Sequence, residues 1–238
     1  MVEAQINVVI PLCQSKINFL DLRFALRSIE KFVPNLGEIF IVGEKPSWIK
    51  NINHIPFKEK MDDRWKERNI FKKIEFAFNN GVGENILFTN DDIILLEEVK
   101  AHYPYYHKGS LTNALDTNTG GYRATMAHTI SELVRKGKEI NNFDIHCPIV
   151  YNKEKFLETV GKLDWNINFG FGIKSMYCGL NDIQGEHMDD CKLRGRLTKE
   201  EVSEKVKGRS VISCTDAPMK YGLGEYLNEI LPNKSIYE

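Results

Sequence analysis

The apolar positions of the first hundred residues fall into two kinds of run that take turns along the chain. Residues 6–12 ("INVVIPL") are short, β-branched and stopped by Pro11, and residues 38–43 ("EIFIVG") end at Gly43; both read as buried strands. Between them Phe19, Leu22, Ala25, Leu26, Ile29, Phe32 and Val33 recur at helical spacing, with Asn18 placed to cap the start and Pro34 and Gly37 to end it. A second helical stripe, Trp65, Ile70, Phe71, Ile74, Ala77 and Phe78, stops at Asn79–Gly81. A third strand, "NILFTND", follows. Strand, helix, strand, helix, strand predicts parallel pairing through right-handed crossovers, hence an α/β fold with a mostly parallel sheet flanked by helices.

That topology puts a ligand crevice outside the carboxyl ends of the strands. Three segments meet there: Pro11–Cys13, Gly43–Lys45 and Asn90–Asp92. The paired acids Asp91 and Asp92 have two readings, a solvated turn or a holder of positive charge. By themselves adjacent acids after a strand are more often a turn. Here the apolar residues Ile93, Ile94, Leu95 and Leu96 follow at once, where turn acids are ordinarily followed by polar ones, and this favours the second reading. Carboxylate oxygens suit hard Mg²⁺ or Mn²⁺, and such an ion neutralises a diphosphate. No G-x-G-x-x-G fingerprint follows the first strand and no G-x-x-x-x-G-K-[ST] loop is present, which lowers the weight of nicotinamide enzymes and P-loop phosphotransferases.

Composition narrows the picture further. The 238 residues are 42% hydrophobic and 27% charged, ordinary for a globular chain, and 32 basic against 33 acidic side chains give a net charge of -1. No global field draws the chain to nucleic acid or anionic membrane. Five cysteines without a C-x-x-C pair, no apolar run of membrane-spanning length and no basic N-terminal signal pattern lead to the expectation of a cytoplasmic protein with reduced thiols.

Later segments add candidate chemistry. In "NNFDIHCPIVYN" Phe143, Ile145 and Cys147 alternate with Asp144 and His146, predicting a strand that presents two titratable groups on its polar face; a base that steers an acceptor hydroxyl and a plain solvated face are both open. Arg68 and Lys72 (or its neighbour Lys73) can reach donor phosphates, though solvated helix charges are the commoner reason for such residues. Gly120–Gly121 opens a helix whose free N–H groups, with Arg123, suit an anion, or is a plain connection. His128 reads as a surface or packing residue; His187, Asp189 and Asp190 have two readings, a further metal ligand or, more commonly for an H-x-D-D without a known partner, solvent exposure. Lys192, Arg194 and Arg196 form a small basic cluster suited to a phosphate or an anionic acceptor, and "SVISCTDAPM" predicts a strand ending at Asp216, where a ligand role and a capping or turn role for "TDAP" are both open.

Paired acids at the end of a parallel strand are similar to the way GT-A glycosyltransferases present a metal ion to a nucleotide-sugar. More specifically, "DLRFALRSIEKFVPNLGEIFIVGEKPSWI" resembles the Stealth-type sugar-phosphate transferases and their bacterial and phage glycosyltransferase relatives, in which a similar "LR-SI-K--P---I-IV---PSW" stretch precedes an "NDD" strand end. "ILFTNDDIIL" matches that strand end, "NNFDIHCPIVYNKEKF" resembles the later "H-P" segment, and "LNEILPNKSIYE" resembles a typical chain end. The resemblance implies a single GT-A-like domain over 1–238, with a nucleotide-sugar half (1–100) and an acceptor half (101–238). It implies Mn²⁺ or Mg²⁺ on Asp91 and Asp92, with Asp216 as the third ligand by similarity to GT-A enzymes, and His146 at the reaction centre. Joined to the residue reading, the expected donor contacts are Pro11, Arg68, Lys72, Asp91 and Arg123, with Asp144 and His146 facing the acceptor. The expected activity is metal-dependent transfer of a sugar from a nucleotide-sugar to a hydroxyl on a glycan or modified base. Sugar-1-phosphate transfer, phage-type glycosylation of a hydroxymethylated DNA base, and non-catalytic binding of a nucleotide-sugar or glycan are the alternatives.

Overall fold

The computed structural model describes residues 5–14, 17–60, 62–99 and 103–238. The elements run β1 (Ile6–Leu12), α1 (Leu20–Phe32), β2 (Leu36–Gly43), β3 (Asn53–Ile55), α2 (Lys66–Asn79), β4 (Asn85–Phe88), β5 (Ile93–Leu95), β6 (Tyr106–His107), α3 (Leu111–Thr117), α4 (Gly120–Arg135), β7 (Ile149–Asn152) and α5 (Lys153–Gly161). They continue with α6 (Ile173–Leu180), β8 (Glu186–His187), β9 (Lys192–Leu193), α7 (Lys199–Val206), β10 (Val211–Cys214), α8 (Asp216–Lys220) and α9 (Gly222–Ile230).

The main sheet has the order β3-β2-β1-β4-β7, parallel throughout except for β7, which pairs antiparallel with β4. The chain is therefore α/β with a mixed, mostly parallel sheet, as the alternation of runs predicts. The short strand β3 is an addition: "NHI" has too few positions to show a period. The division at residue 100 does not separate the sheet, because β7 from the later part supplies its fifth strand.

Period-2 alternation along each buried strand feeds two cores. Val9, Val42, Ile86 and Phe88 face Phe71, Ile74 and Phe78 of α2, while Val8, Ile10, Ile41 and Leu87 face Leu22, Leu26 and Ile29 of α1. The helices thus cover opposite faces, the arrangement that right-handed crossovers in opposite directions require. A second sheet, β5-β10-β9, packs Ile94 and Ile212 against Val202 of α7 and Leu223 and Leu227 of α9.

This second sheet explains the apolar run after the acids. Ile93 and Leu95 join the α1 core and Ile94 joins the α7/α9 core, so β5 is buried on both faces and its sequence has no polar alternation. The chain leaves the main sheet at Thr89, whose N–H donates to the Val9 carbonyl at 3.1 Å, turns at Asp91–Asp92 and enters β5. The paired acids therefore lie in a turn, but one that connects two sheets.

Two expected details differ. Asn18 does not cap α1: Asn18 and Phe19 both adopt positive φ, and the first turn instead folds the Asp21 carboxylate onto the Leu22 N–H at 2.9 Å. Residues 142–148 are not a strand. They alternate in burial as predicted, with Phe143, Ile145 and Cys147 buried, yet pair with no neighbouring strand.

Candidate functional site

β1 is the strand from which the sheet grows in both directions, to β2 on one side and β4 on the other, so the switch point of the topology lies between β1 and β4. Pairing of β1 with β4 stops at Val9–Phe88, while pairing with β2 continues through Pro11 and Leu12. Pro11, lacking an N–H, is tolerated where the β4 side has already parted. The gap opens into a cavity of about 930 Å³, toward the upper end of the range for small-molecule sites.

Among the expected residues, Pro11, Asp91, Asp92, Asp144 and His146 line this cavity. Arg68, Lys72, Arg123 and Asp216 are not among its lining residues. The Arg68 guanidinium lies over the Trp65 ring at 4.1 Å, Lys72 pairs with Glu75 at 3.0 Å on the helix surface, and Arg123 Nε donates to the Leu115 carbonyl at 3.0 Å. Asp216 is an exposed residue in the first turn of α8; its neighbour Thr215 reaches the cavity instead.

Of the two adjacent lysines of α2, Lys73 and not Lys72 lines the cavity. It is 2% exposed, donates to the Leu12 carbonyl at 2.7 Å and pairs with Glu59. Gly43 makes room for it: φ is +121°, and a Cβ there would lie 2.1 Å from the Leu12 carbonyl oxygen and 2.9 Å from Lys73 Nζ.

The two acids of the turn have different surroundings. Asp92 accepts from Lys192 Nζ and from Ser213 Oγ, both at 2.9 Å. Asp91 has no such partner among the described residues; burial, and then the charges of Asp21 and Asp92, push it up to about 8. Asp21, buried in the first turn of α1, is itself raised by burial to about 6. A carboxyl group so placed stays ionised at neutral pH only when a positive charge comes beside it. No group of three or more His, Cys, Asp or Glu side chains able to hold a metal ion occurs among the described residues.

The second cluster was half visible in the sequence. His146 Nδ1 lies 2.7 Å from Asp190 Oδ2, and Asp190 Oδ1 accepts from the His146 backbone N–H at 3.2 Å. Lys108 Nζ donates to the same carboxylate at 3.0 Å. Burial pushes Asp190 up, but the hydrogen bond with His146 and the Lys108 ammonium outweigh it and hold the carboxyl well below its usual range. Burial lowers His146, with Asp190 acting in the opposite sense. The ionised member is therefore Asp190, anchored by Lys108, and it fixes a neutral imidazole with Nδ1–H donating and Nε2 free to accept a proton. The reading of Asp190 as solvent-exposed is corrected: it is the carboxylate that orients His146.

Asp144 has another task. Its carboxylate accepts from the backbone N–H groups of Lys174 and Ser175, both at 3.3 Å, and from Ser175 Oγ. It thereby supplies the N-terminal cap of α6 that Gly172 cannot provide. The first turn of α6 answers in kind. Lys174, 7% exposed, donates through Nζ to the carbonyls of Ile145 at 2.8 Å and Cys147 at 2.6 Å, and Ser175 Oγ accepts from the Phe143 N–H at 3.0 Å. Residues 143–147 thus form a strap held by a helix end, with further bonds to Asn142 and Asp190, instead of by a strand ladder, and His146 lies between the two carbonyls that Lys174 binds.

Sequence reasoning missed Lys174 and Asp21, named Lys73 only as the alternative to Lys72, and read Asp190 as exposed. Lys73, Lys174 and Asp190 meet partners far along the chain, at Leu12, Ile145 and His146, which no local pattern reports. All five cysteines are free, and no helix among the described residues is long and apolar enough to cross a membrane. No protein-family model matches the chain, and no curated protein matches it.

Proposed function

We propose that this chain is a GT-A-like transferase that moves a sugar from a nucleotide-sugar donor to an acceptor hydroxyl, with His146 as general base. One observation carries the reading: an imidazole fixed by Asp190 and an uncompensated carboxyl group, Asp91, line one cavity at the switch point of a parallel sheet. His146 Nε2 accepts the proton of the attacking hydroxyl, while Asp190, held in place by Lys108, keeps the ring oriented and balances the imidazolium that forms. Lys73 places a buried positive charge near Asp91, toward the donor side.

The acids fit a divalent ion in the manner usual for nucleotide sites, where one or two carboxylates act together with substrate phosphates instead of an all-protein cage. Asp91 would hold Mg²⁺ or Mn²⁺ with help from Asp92, and Asp216, exposed and outside the cavity lining, does not join them. When bound, such an ion neutralises charge on the departing diphosphate.

The same base can direct a hydroxyl at phosphorus, which is what the Stealth resemblance implies. A donor labelled with ³²P at the sugar-linked phosphate separates the two: label in the acceptor product means phosphate transfer, and label left in the nucleotide means sugar transfer. The general reading is tested by melting the protein with a panel of nucleotide-sugars, with and without Mn²⁺. We expect at least one donor to raise the melting point only with the ion and to be turned over; absence of both across the panel overturns the proposal.

A further inference from the structure

The cavity is lined unevenly. Its charged groups come from the strand ends, Glu59, α2, the strap, the first turn of α6 and the segment around β9, whereas every residue contributed by segment 110–126 is uncharged. Asn113, Thr117, Asn118 and Tyr122 bring amides and hydroxyls, with Ala114 and Met126 as the apolar part of the wall. These polar groups are partly ordered in advance. Thr117 Oγ1 donates to the Asn113 carbonyl at 2.8 Å, and Asn118 Nδ2 donates to the Ala114 carbonyl at 2.9 Å, leaving the Asn118 amide oxygen open.

Two further groups in the lining have no hydrogen-bond partner among the described residues: the Asn113 amide and the Glu67 carboxyl. Burial, then the charge of Asp144, raise Glu67 to about 7, so at neutral pH it both donates and accepts. Lys66 lies beside it at the start of α2.

Amides, hydroxyls and a carboxyl that exchanges roles match a ligand whose every hydroxyl is donor and acceptor at once. The apolar part of the wall suits the C–H face of a sugar ring. A polyanion needs the opposite lining, a series of lysines or arginines that follow its charges. Segment 110–126 supplies none to the cavity; elsewhere in the lining Lys73, Lys108 and Lys192 are paired with Glu59, Asp190 and Asp92 and Lys174 is bound to two backbone carbonyls, and Lys66 and Arg194 do not make a series.

We propose that Glu67 and the wall formed by residues 110–126 are the acceptor subsite, and that it takes a neutral carbohydrate in preference to a nucleic acid or an anionic glycan. The word acceptor rests on the transferase reading above; the carbohydrate chemistry does not.

Binding can be read without turnover, by saturation-transfer NMR on the whole chain with lactose, maltotriose, cellotriose and chitotriose, and with heparin and duplex DNA as polyanions. At least one neutral saccharide binds, with affinity unchanged between roughly 50 and 300 mM NaCl. Asn113→Leu, at an exposed position, and Glu67→Leu each weaken it about tenfold, the scale of one or two lost hydrogen bonds. Should Glu67→Leu fail to fold, Asn113→Leu decides alone. Absence of neutral saccharide binding, binding untouched by Asn113→Leu, or salt-sensitive binding of heparin or DNA alone overturns the proposal. A chain that binds neutral saccharides through these residues but turns over no nucleotide-sugar keeps the subsite and fails the transferase reading. Donor turnover onto an anionic acceptor alone does the reverse.

Discussion

The acid turn at residues 90–92 and the strap at residues 143–147 reach the same cavity from different scaffolds. The turn is clamped by strands on both sides, β4 in one sheet and β5 in the other, so its position is set by backbone ladders. The strap has no ladder. Its position depends on side chains, with Asp144 capping α6 and Lys174 reaching back to the carbonyls around His146. Their electrostatics differ as well. Asp190 in the strap's cluster is already paired and stays ionised, whereas Asp91 in the turn is left uncompensated. The lesson is that a finished charge cluster and an unfinished one can share a cavity, and only the unfinished one calls for a ligand's charge.

That contrast can be broken most sharply at His146. Under the proposed function His146→Gln lowers turnover by roughly 10²–10⁴-fold, the usual contribution of a positioned base, with little change in the urea midpoint. Equal turnover in the variant would mean that the strap holds no base.

Next in size is Lys174→Met, which removes the donor from two buried carbonyls while keeping the length of the side chain. Each orphaned acceptor costs about 1–3 kcal/mol, to be read as a lower urea midpoint at unchanged slope. His146 ring resonances in the NMR spectrum should shift with it, since the carbonyls on both sides of the histidine lose their anchor. A variant as stable as wild type with unmoved His146 resonances would show that the strap stands without Lys174.

The smallest effect belongs to Asp91 and depends on pH. Its folded-state pKa, about 8, lies above the ordinary value of 3.8, so the folded protein binds this proton more tightly than the unfolded chain. The resulting stabilisation is complete below about pH 4 and is lost as pH rises through about 8. Asp21 and Glu67, raised to about 6 and about 7, act in the same direction. Asp91→Asn should therefore match wild type near pH 4 and exceed it by on the order of 1 kcal/mol near pH 8.5, a figure reduced for solvent screening at a partly exposed group. Urea titrations at the two pH values measure this. A constant difference between the two proteins would show that Asp91 is not held in its neutral form.

Local pattern carried a large part of the architecture. The apolar runs at 6–12, 38–43 and 85–88 and the stripes at 19–33 and 65–78 report which positions meet a core, because a buried strand and a one-faced helix leave different periods in the chain. They also placed the acid turn at the carboxyl edge of a parallel sheet, on one rim with Pro11; the folded chain adds Asp144 and His146 to the same cavity. Period alone could not assign tasks to them. Lys72 and Lys73 are adjacent in one helix, and only the approach of Glu59 and the Leu12 carbonyl draws one inward and leaves the other with Glu75. Asp144 and His146 share a face in any extended segment; one caps a helix and the other meets Asp190 because α6 and the segment before β9 arrive from about thirty and forty-four residues away. The sequence by itself determined where the chain is buried and which way its strands run, since these follow from the hydrophobicity of near neighbours. The tertiary structure decided which charges are neutralised and which are left open, because a charge is satisfied by whatever group the fold brings within about 3 Å, and that distance has no counterpart along the chain.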